Sequence, residues 1–219
     1  MTERTSADDR VCGVLLAGGQ SRRMGGGDKA LRPLGGRPLL AHIVERARPQ
    51  VDALVLNANG DPARFREAGF DLPVAPDVVE GFAGPLAGVL TGMTWAAENA
   101  PACRWIATFA CDAPFLPADL VARFLDAVKT EEADMACAAS EGRSHPVFGL
   151  WPVDLRDDLH HAMVEEDIRK VDVWTARYRL ATVPFPPAET GQGTIDPFFN
   201  TNRPEDLEEA ERLAGHLAV

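Results

Sequence analysis

The stretch Leu15-Leu16-Ala17-Gly18-Gly19-Gln20-Ser21-Arg22-Arg23-Met24-Gly25-Gly26-Gly27-Asp28-Lys29 gathers glycines and cations in an otherwise acidic chain. Glycines let backbone N–H groups approach phosphate oxygens with no Cβ in the way. Arg22, Arg23, Lys29 and the nearby Arg32 supply positive charge. Such charge neutralises a triphosphate and stabilises charge growing in a phosphoryl-transfer transition state. Lys29 and Arg23 are the expected catalytic cations. The loop is not a Walker A motif, which needs Gly-Lys followed by Ser or Thr, because the order here is Gly27-Asp28-Lys29-Ala30. Nor does it carry the dinucleotide fingerprint in its usual place after a strand. Asp112 is the second chemical feature. It follows an apolar run and precedes Pro114, so its carboxylate is expected to face a crevice. A carboxylate there suits a magnesium ion bridging triphosphate oxygens, held by one or two carboxylates plus substrate oxygens and waters. The plain alternative is a turn or capping aspartate.

Short apolar runs alternate with amphipathic segments around these residues. Val11 to Leu16 is continuously apolar apart from Gly13, as a strand buried on both faces reads. Further strands are expected at Ala53 to Leu56, Pro73 to Ala75, Arg104 to Ala110, Asp134 to Ala139, Pro146 to Trp151 and Leu180 to Phe185. Helices are expected from about Arg37 to Arg48 with Pro38 in the first turn, and at Pro62 to Ala68, closed by Gly69. Others are expected at Gly84 to Asn99, Pro117 to Lys129, Asp154 to Glu166 and Pro204 to Leu217. Thr190 to Thr194 reads as a glycine-containing loop. The alternation predicts an α/β fold: a Rossmann-like three-layer sandwich around a mostly parallel sheet. Residues 1–10 read as a flexible tail and 11–219 as a single domain. Ligands of open parallel sheets bind at the carboxyl ends of the strands. Ala17 to Lys29, Asn57, Asp77 and Asp112 all follow such ends, so they are expected to converge.

A strand running into L-A-G-G-x-S-x-R-M-G-x-x-D-K resembles the nucleotidyltransferases that move nucleoside monophosphates onto phosphorylated acceptors. Within them it is most similar to the molybdenum cofactor guanylyltransferases. Asn57-Ala58-Asn59, Asp77, Gly84-Pro85-Leu86-Ala87-Gly88, Cys111-Asp112-Ala113-Pro114 and Phe199-Asn200-Thr201-Asn202 match family segments in the same order. The resemblance implies transfer of GMP from GTP to the terminal phosphate of the molybdenum cofactor (molybdopterin), with pyrophosphate released and Mg2+ held by Asp112. It implies nucleotide binding by Leu16, Ala17, Gly18, Gly19, Lys29, Asn57, Asp77 and Asp112, and pterin binding by Asn200 and Asn202. Either Asn57 or Asp77 is a candidate for reading guanine or ribose. The attacking phosphate is already deprotonated, so positioning and electrostatics suffice and no nucleophilic Ser or Cys is expected. Gly18-Gly19 and Asp28-Lys29 favour guanylyl over cytidylyl transfer by family comparison. A cytidylyl or sugar-phosphate nucleotidyltransferase, and a non-catalytic carrier of nucleotide and cofactor, are the competing readings. Two positions depart from the family's habit: Ala113 stands where Thr is common, and Ser144-His145-Pro146 where Asp-His-Pro is frequent. For His145, a phosphate contact and a backbone-satisfied ring are both open.

A net charge of −11 over 219 residues repels nucleic acid and anionic lipid, so neither partner is expected. The family resemblance also implies transient contact with cofactor-donating and molybdoenzyme-maturation proteins. Met1 to Arg10 lacks the apolar core of a secretory signal, and no apolar run is long enough to span a bilayer. Cys12, Cys103, Cys111 and Cys137 form no C-x-x-C pair and read as buried reduced thiols. A cytoplasmic location is the expectation.

Overall fold

The computed structural model describes residues 7–18, 28–79, 81, 84–190 and 193–214. In chain order the first half comprises β1 (Val11–Leu16), β2 (Pro33–Leu34), β3 (Arg37–Pro38), α1 (Leu39–Ala47), β4 (Ala53–Asn57), α2 (Ala63–Glu67), β5 (Val74–Ala75) and α3 (Pro85–Asn99). The second half comprises β6 (Trp105–Ala110), α4 (Leu120–Thr130), β7 (Met135–Ser140), β8 (Arg143–Pro152), α5 (Arg156–Val164), α6 (Val171–Thr175), β9 (Leu180–Pro184), β10 (Ala188–Thr190), β11 (Gly193–Ile195) and α7 (Pro204–Ala214). Seven strands form one sheet in the order β5-β4-β1-β6-β8-β7-β9. Only β8 runs antiparallel to its neighbours β6 and β7.

Side chains of β1 alternate between two apolar layers, as strand geometry requires. Val11 and Leu15 pack with Leu40 and Ile43 of α1, Phe65 of α2 and Phe124 of α4. Cys12 and Val14 pack with Leu86, Val89 and Met93 of α3 and Leu159 of α5. The sheet is therefore covered on both faces, and the three-layer α/β expectation holds. Gly13 interrupts the apolar run because a Cβ there would sit 2.7 Å from Leu54 Cδ1.

Several boundaries differ from the periodic pattern. Arg37 and Pro38 are extended, not helical, because Gly35 and Gly36 both take positive φ (57° and 78°) and close a hairpin between β2 and β3. Two-residue loops with positive φ match the twist of paired strands. Pro38 then flanks α1 from outside, and Leu39 N–H donates to Arg32 O at 2.8 Å. Glu141 and Gly142, with φ of 47° and 75°, turn β7 back into β8, so the strand begins at Arg143 rather than Pro146. Ala188–Thr190 and Gly193–Ile195 pair as a short antiparallel ribbon where a loop was expected. The helix expected over Asp154 to Glu166 is α5 preceded by a separate 3-10 turn, Val153–Leu155. Within the stretch read as a tail, Asp8 pairs with Arg104 and Asp9 with Lys129. Among the described residues no helix is long and apolar enough to cross a membrane.

Helix α6 has only five residues and no periodic signal long enough to find it. Its Trp174 is buried, and Asp158 on α5 ties it down, accepting from Trp174 Nε1 at 2.9 Å and from the Tyr178 hydroxyl at 2.5 Å. The Tyr178 hydrogen bond is the chief cause holding Asp158 below its ordinary value of 3.8, helped by Trp174 and the charges of Arg177 and His161, against desolvation. A carboxylate with a lowered folded-state pKa contributes stability above its unfolded value and loses it as pH falls through and below that value. Asp158→Asn is therefore expected to flatten the acid side of the stability profile. Its unfolding midpoint should drop less than the parent's between about pH 5 and pH 3. Parallel curves across that window would discard the assignment.

Candidate active site

The carboxyl ends of β1, β4, β5 and β6 open into one cavity of about 910 Å³. Leu16, Ala17 and Gly18 line it from β1, Asn57 from β4, Asp77 from just beyond β5, and Ala110, Cys111 and Asp112 from β6. Lys29, Asn200 and Asn202 also line it, beside Asp112, and Gly84, Pro85 and Gly88 bring in the start of α3. Every expected site residue within the described residues thus lines one cavity. Arg23 and Gly19 lie outside the described residues.

Lys29 opens the 3-10 turn Lys29–Leu31, and Asp28 fixes that turn. Asp28 caps the 3-10 turn Lys29–Leu31, its Oδ1 accepting from Ala30 N–H at 3.0 Å. Lys29 Nζ reaches Asp112 Oδ2 at 2.5 Å and Asn202 Oδ1 at 2.6 Å. An ammonium has three donors, so one is left for a further acceptor such as a phosphate oxygen. The ion pair is mostly shielded, with side-chain exposures of 15% and 24%. Asp112 itself is anchored by its backbone: Thr201 N–H and Oγ1–H both donate to Asp112 O, at 2.8 and 3.1 Å. Its carboxylate is thereby left to the cavity. Asn200 Oδ1, on the same segment, is buried and finds no hydrogen-bond partner among the described residues.

The other end of the cavity is a carboxylate clasped by amides. Asn57 is buried, and its Nδ2 donates to Asp77 Oδ1 at 2.9 Å and Ala75 O at 3.2 Å. Asn59 holds Asp77 from the outside, Nδ2 donating to Oδ2 at 2.8 Å and Oδ1 accepting from Asp77 N–H at 2.9 Å. Each Asp77 oxygen keeps lone-pair capacity for a ligand N–H or O–H. Arg64 of α2 joins the two ends, donating through Nε to Asp28 Oδ2 and through a terminal nitrogen to Asn59 O, both at 2.8 Å. Asn59 belongs to the segment Asn57-Ala58-Asn59 that the family resemblance already marks, and Arg64 carries no such mark. Asn59 lies two positions from Asn57 and was within reach of the pattern, whereas the partners of Arg64 are brought to it by folding.

All four cysteines are free and buried. Burial is the main cause that pushes Cys111, at the cavity wall, well above the ordinary thiol value. It likewise pushes Cys12 up to about 12 and Cys137 up to about 11. Thiolate chemistry at neutral pH is disfavoured at each. His145 does not line the cavity; its Nε2 lies 2.6 Å from Ser140 Oγ.

The model of the MobA-like NTP transferase domain matches residues 13–179. The molybdenum cofactor guanylyltransferase of Bradyrhizobium sp. (strain ORS 278) is 58% identical over 210 residues, 96% of each chain. That of Rhodopseudomonas palustris (strain HaA2) is 57% identical, covering 92% of this chain and 91% of its own. In fold, the chain is similar to the crystal structure of molybdopterin-guanine dinucleotide biosynthesis protein A from Archaeoglobus fulgidus, with a TM-score of 0.70 at 20% identity over 93% of this chain and 98% of that one. The chain belongs to the MobA-like NTP transferase family of nucleotidyltransferases, among the molybdenum cofactor guanylyltransferases.

Proposed function

We propose that the protein transfers GMP from GTP to the terminal phosphate of the molybdenum cofactor, with Mg2+, releasing pyrophosphate. The observation that carries this reading is Lys29, whose ammonium bonds Asp112 on one side and Asn202 on the other. In this reading one cation serves both the nucleotide half and the acceptor half of the cavity.

In this reading Asp77, held by Asn57 and Asn59, accepts from the guanine N1–H and N2–H groups, which cytosine lacks. Leu16, Ala17, Gly18 and Gly19 offer backbone groups to the nucleotide, and Arg23 and Lys29 neutralise its phosphates. Asn200 and Asn202 take the pterin substrate. A pterin N–H donated to Asn200 Oδ1 would relieve a buried unpaired acceptor, which costs about 1–3 kcal/mol. An oxygen of the acceptor phosphate forms a bond to the α-phosphorus of GTP while the α-phosphorus bond to the bridging oxygen breaks. Pyrophosphate leaves with the electron pair. The attacking oxygen is already an anion, so no side chain has to remove a proton.

The residues suit magnesium. Asp112 offers a hard carboxylate into the cavity, and magnesium takes one or two carboxylates and completes its shell with substrate oxygens and waters. Bound there, the ion would lower the repulsion between the two phosphate groups. The test is a transfer assay with purified protein, Mg2+, molybdopterin cofactor and each of the four nucleoside triphosphates, reading pyrophosphate release. Turnover with GTP alone supports the proposal. Turnover with CTP would overturn the base assignment, and turnover without divalent metal would overturn the role of Asp112.

A further inference from the structure

Behind the acceptor side of the cavity lies a polar cluster that the proposed chemistry does not use. Ser140 ends β7 and is buried, with 2% exposure. Its hydroxyl lies 2.8 Å from Asp196 Oδ1 and 2.6 Å from His145 Nε2. A hydroxyl has one proton, and an ionised carboxylate can only accept. The Ser140 proton therefore goes to Asp196, and His145 Nε2 must carry the N–H that donates to Ser140 Oγ. The neutral Nε2–H tautomer completes a chain running from His145 through Ser140 to Asp196. Burial lowers the His145 pKa below its ordinary value, Asp196 opposes this, and Arg143 adds to it, so the neutral ring fits its surroundings.

This chain grips the segment that carries the acceptor-side asparagines. Asp196 Oδ1 also accepts from Phe198 N–H at 2.9 Å, and the His145 ring lies 4.6 Å from the Phe198 ring at a tilt of 33°. The buried Phe198 packs in turn on Phe148 and Phe185, at 4.8 and 5.4 Å between centroids. Phe199 N–H donates to Asp196 O at 3.0 Å. Beyond it comes Asn200, and then Thr201 with its two bonds to the Asp112 carbonyl. Asn200 is thus suspended between two anchors, one at 196–198 and one at Thr201. None of Ser140, His145 and Asp196 lines the cavity.

We infer that Ser140, His145 and Asp196 are positioning residues for the acceptor substrate: their hydrogen-bond chain holds the segment 196–202 against the β7–β8 hairpin and so sets where Asn200 and Asn202 meet the pterin. This rests on the proposed function, in which these asparagines take the acceptor. Releasing one anchor loosens Asn200 while the Thr201 anchor and the nucleotide half at Leu16, Asn57 and Asp77 stay as they are.

The experiment compares Ser140→Ala, Ser140→Thr and Asn200→Ala for acceptor KM, GTP KM and kcat, with GTP affinity read separately by calorimetry. Ser140→Ala is expected to raise acceptor KM about tenfold, a loss in keeping with a misplaced binding group. GTP affinity should stay unchanged, and Ser140→Thr, which keeps the hydroxyl, should recover most of the loss. A purely structural role would move GTP and acceptor together, and that result overturns the inference. An unchanged acceptor KM in Ser140→Ala, with a raised one in Asn200→Ala, also overturns it and leaves the acceptor reading standing. If Asn200→Ala is silent too, the acceptor reading falls and takes the inference with it. Should Ser140→Ala fail to fold, His145→Gln at its half-buried position carries the same comparison.

Discussion

Asp112→Asn is expected to lower kcat for nucleotide transfer by about 100- to 1000-fold, the scale found when a preorganised electrostatic group is removed from a transition state. The substitution keeps the shape of the side chain and removes its charge. It also spares the structural duty of the residue, because Thr201 is held by the Asp112 backbone carbonyl and not by its carboxylate. Loss of turnover should therefore come with a folded protein. Lys29 would keep Asn202 and lose its only ion-pair partner among the described residues. GTP binding in the absence of metal should survive, since the Lys29 ammonium is then freer for phosphate. Pyrophosphate release, a thermal melt and calorimetry with GTP separate these effects. Full transfer activity in the variant would remove Asp112 from the chemistry, and lost GTP binding would make it a binding residue only.

Gly88→Ala is expected to weaken GTP binding by tenfold or more. A Cβ at this position would lie 2.6 Å from Asn57 Oδ1 and 2.5 Å from Leu16 Cδ2, both closer than real contacts allow. Either α3 backs away from the sheet or the Asn57 amide turns, and turning it withdraws Nδ2 from Asp77. Overpacking of this kind costs about 1–3 kcal/mol. Alanine returns some of that, because glycine inside a helix is about 1 kcal/mol worse than alanine. Nucleotide affinity should thus suffer more than the unfolding midpoint, a pairing that a general folding defect would not give. Titration calorimetry beside a thermal melt checks it, and an unchanged GTP dissociation constant would show that Asn57 and Asp77 do not depend on this contact. The same argument explains why the start of α3 is so rich in small residues. At Gly92, one turn further on, a Cβ would meet Val14 at 2.4 Å, so the helix lies unusually close to β1 along its first turns.

The order of the main strands and helices, the three-layer arrangement and the edge of the sheet that opens into the cavity were legible in the sequence. Those features follow from local signals. A strand buried on both faces must be apolar throughout, as Val11–Leu16 is, and a chain that alternates such runs with amphipathic helices has few ways to bury both. The cavity positions Leu16 to Gly18, Lys29 and Asp112 were legible for the same reason, since each is marked by its immediate neighbours. The Gly35-Gly36 hairpin was legible in principle, but helical spacing downstream of Pro38 masked it. Partnerships between distant residues were decided only by the tertiary structure. Lys29 meets Asp112 and Asn202 across separations of 83 and 173 residues, and Arg64 meets Asp28 across 36. Ser140 and Asp196 carry no local pattern that sets them apart from surface polar residues, and the segment around His145 does not name its partners. A hydrogen bond needs its partner within about 3 Å, and only the packing of the sheet and the return of the chain at Asp196 bring them that close.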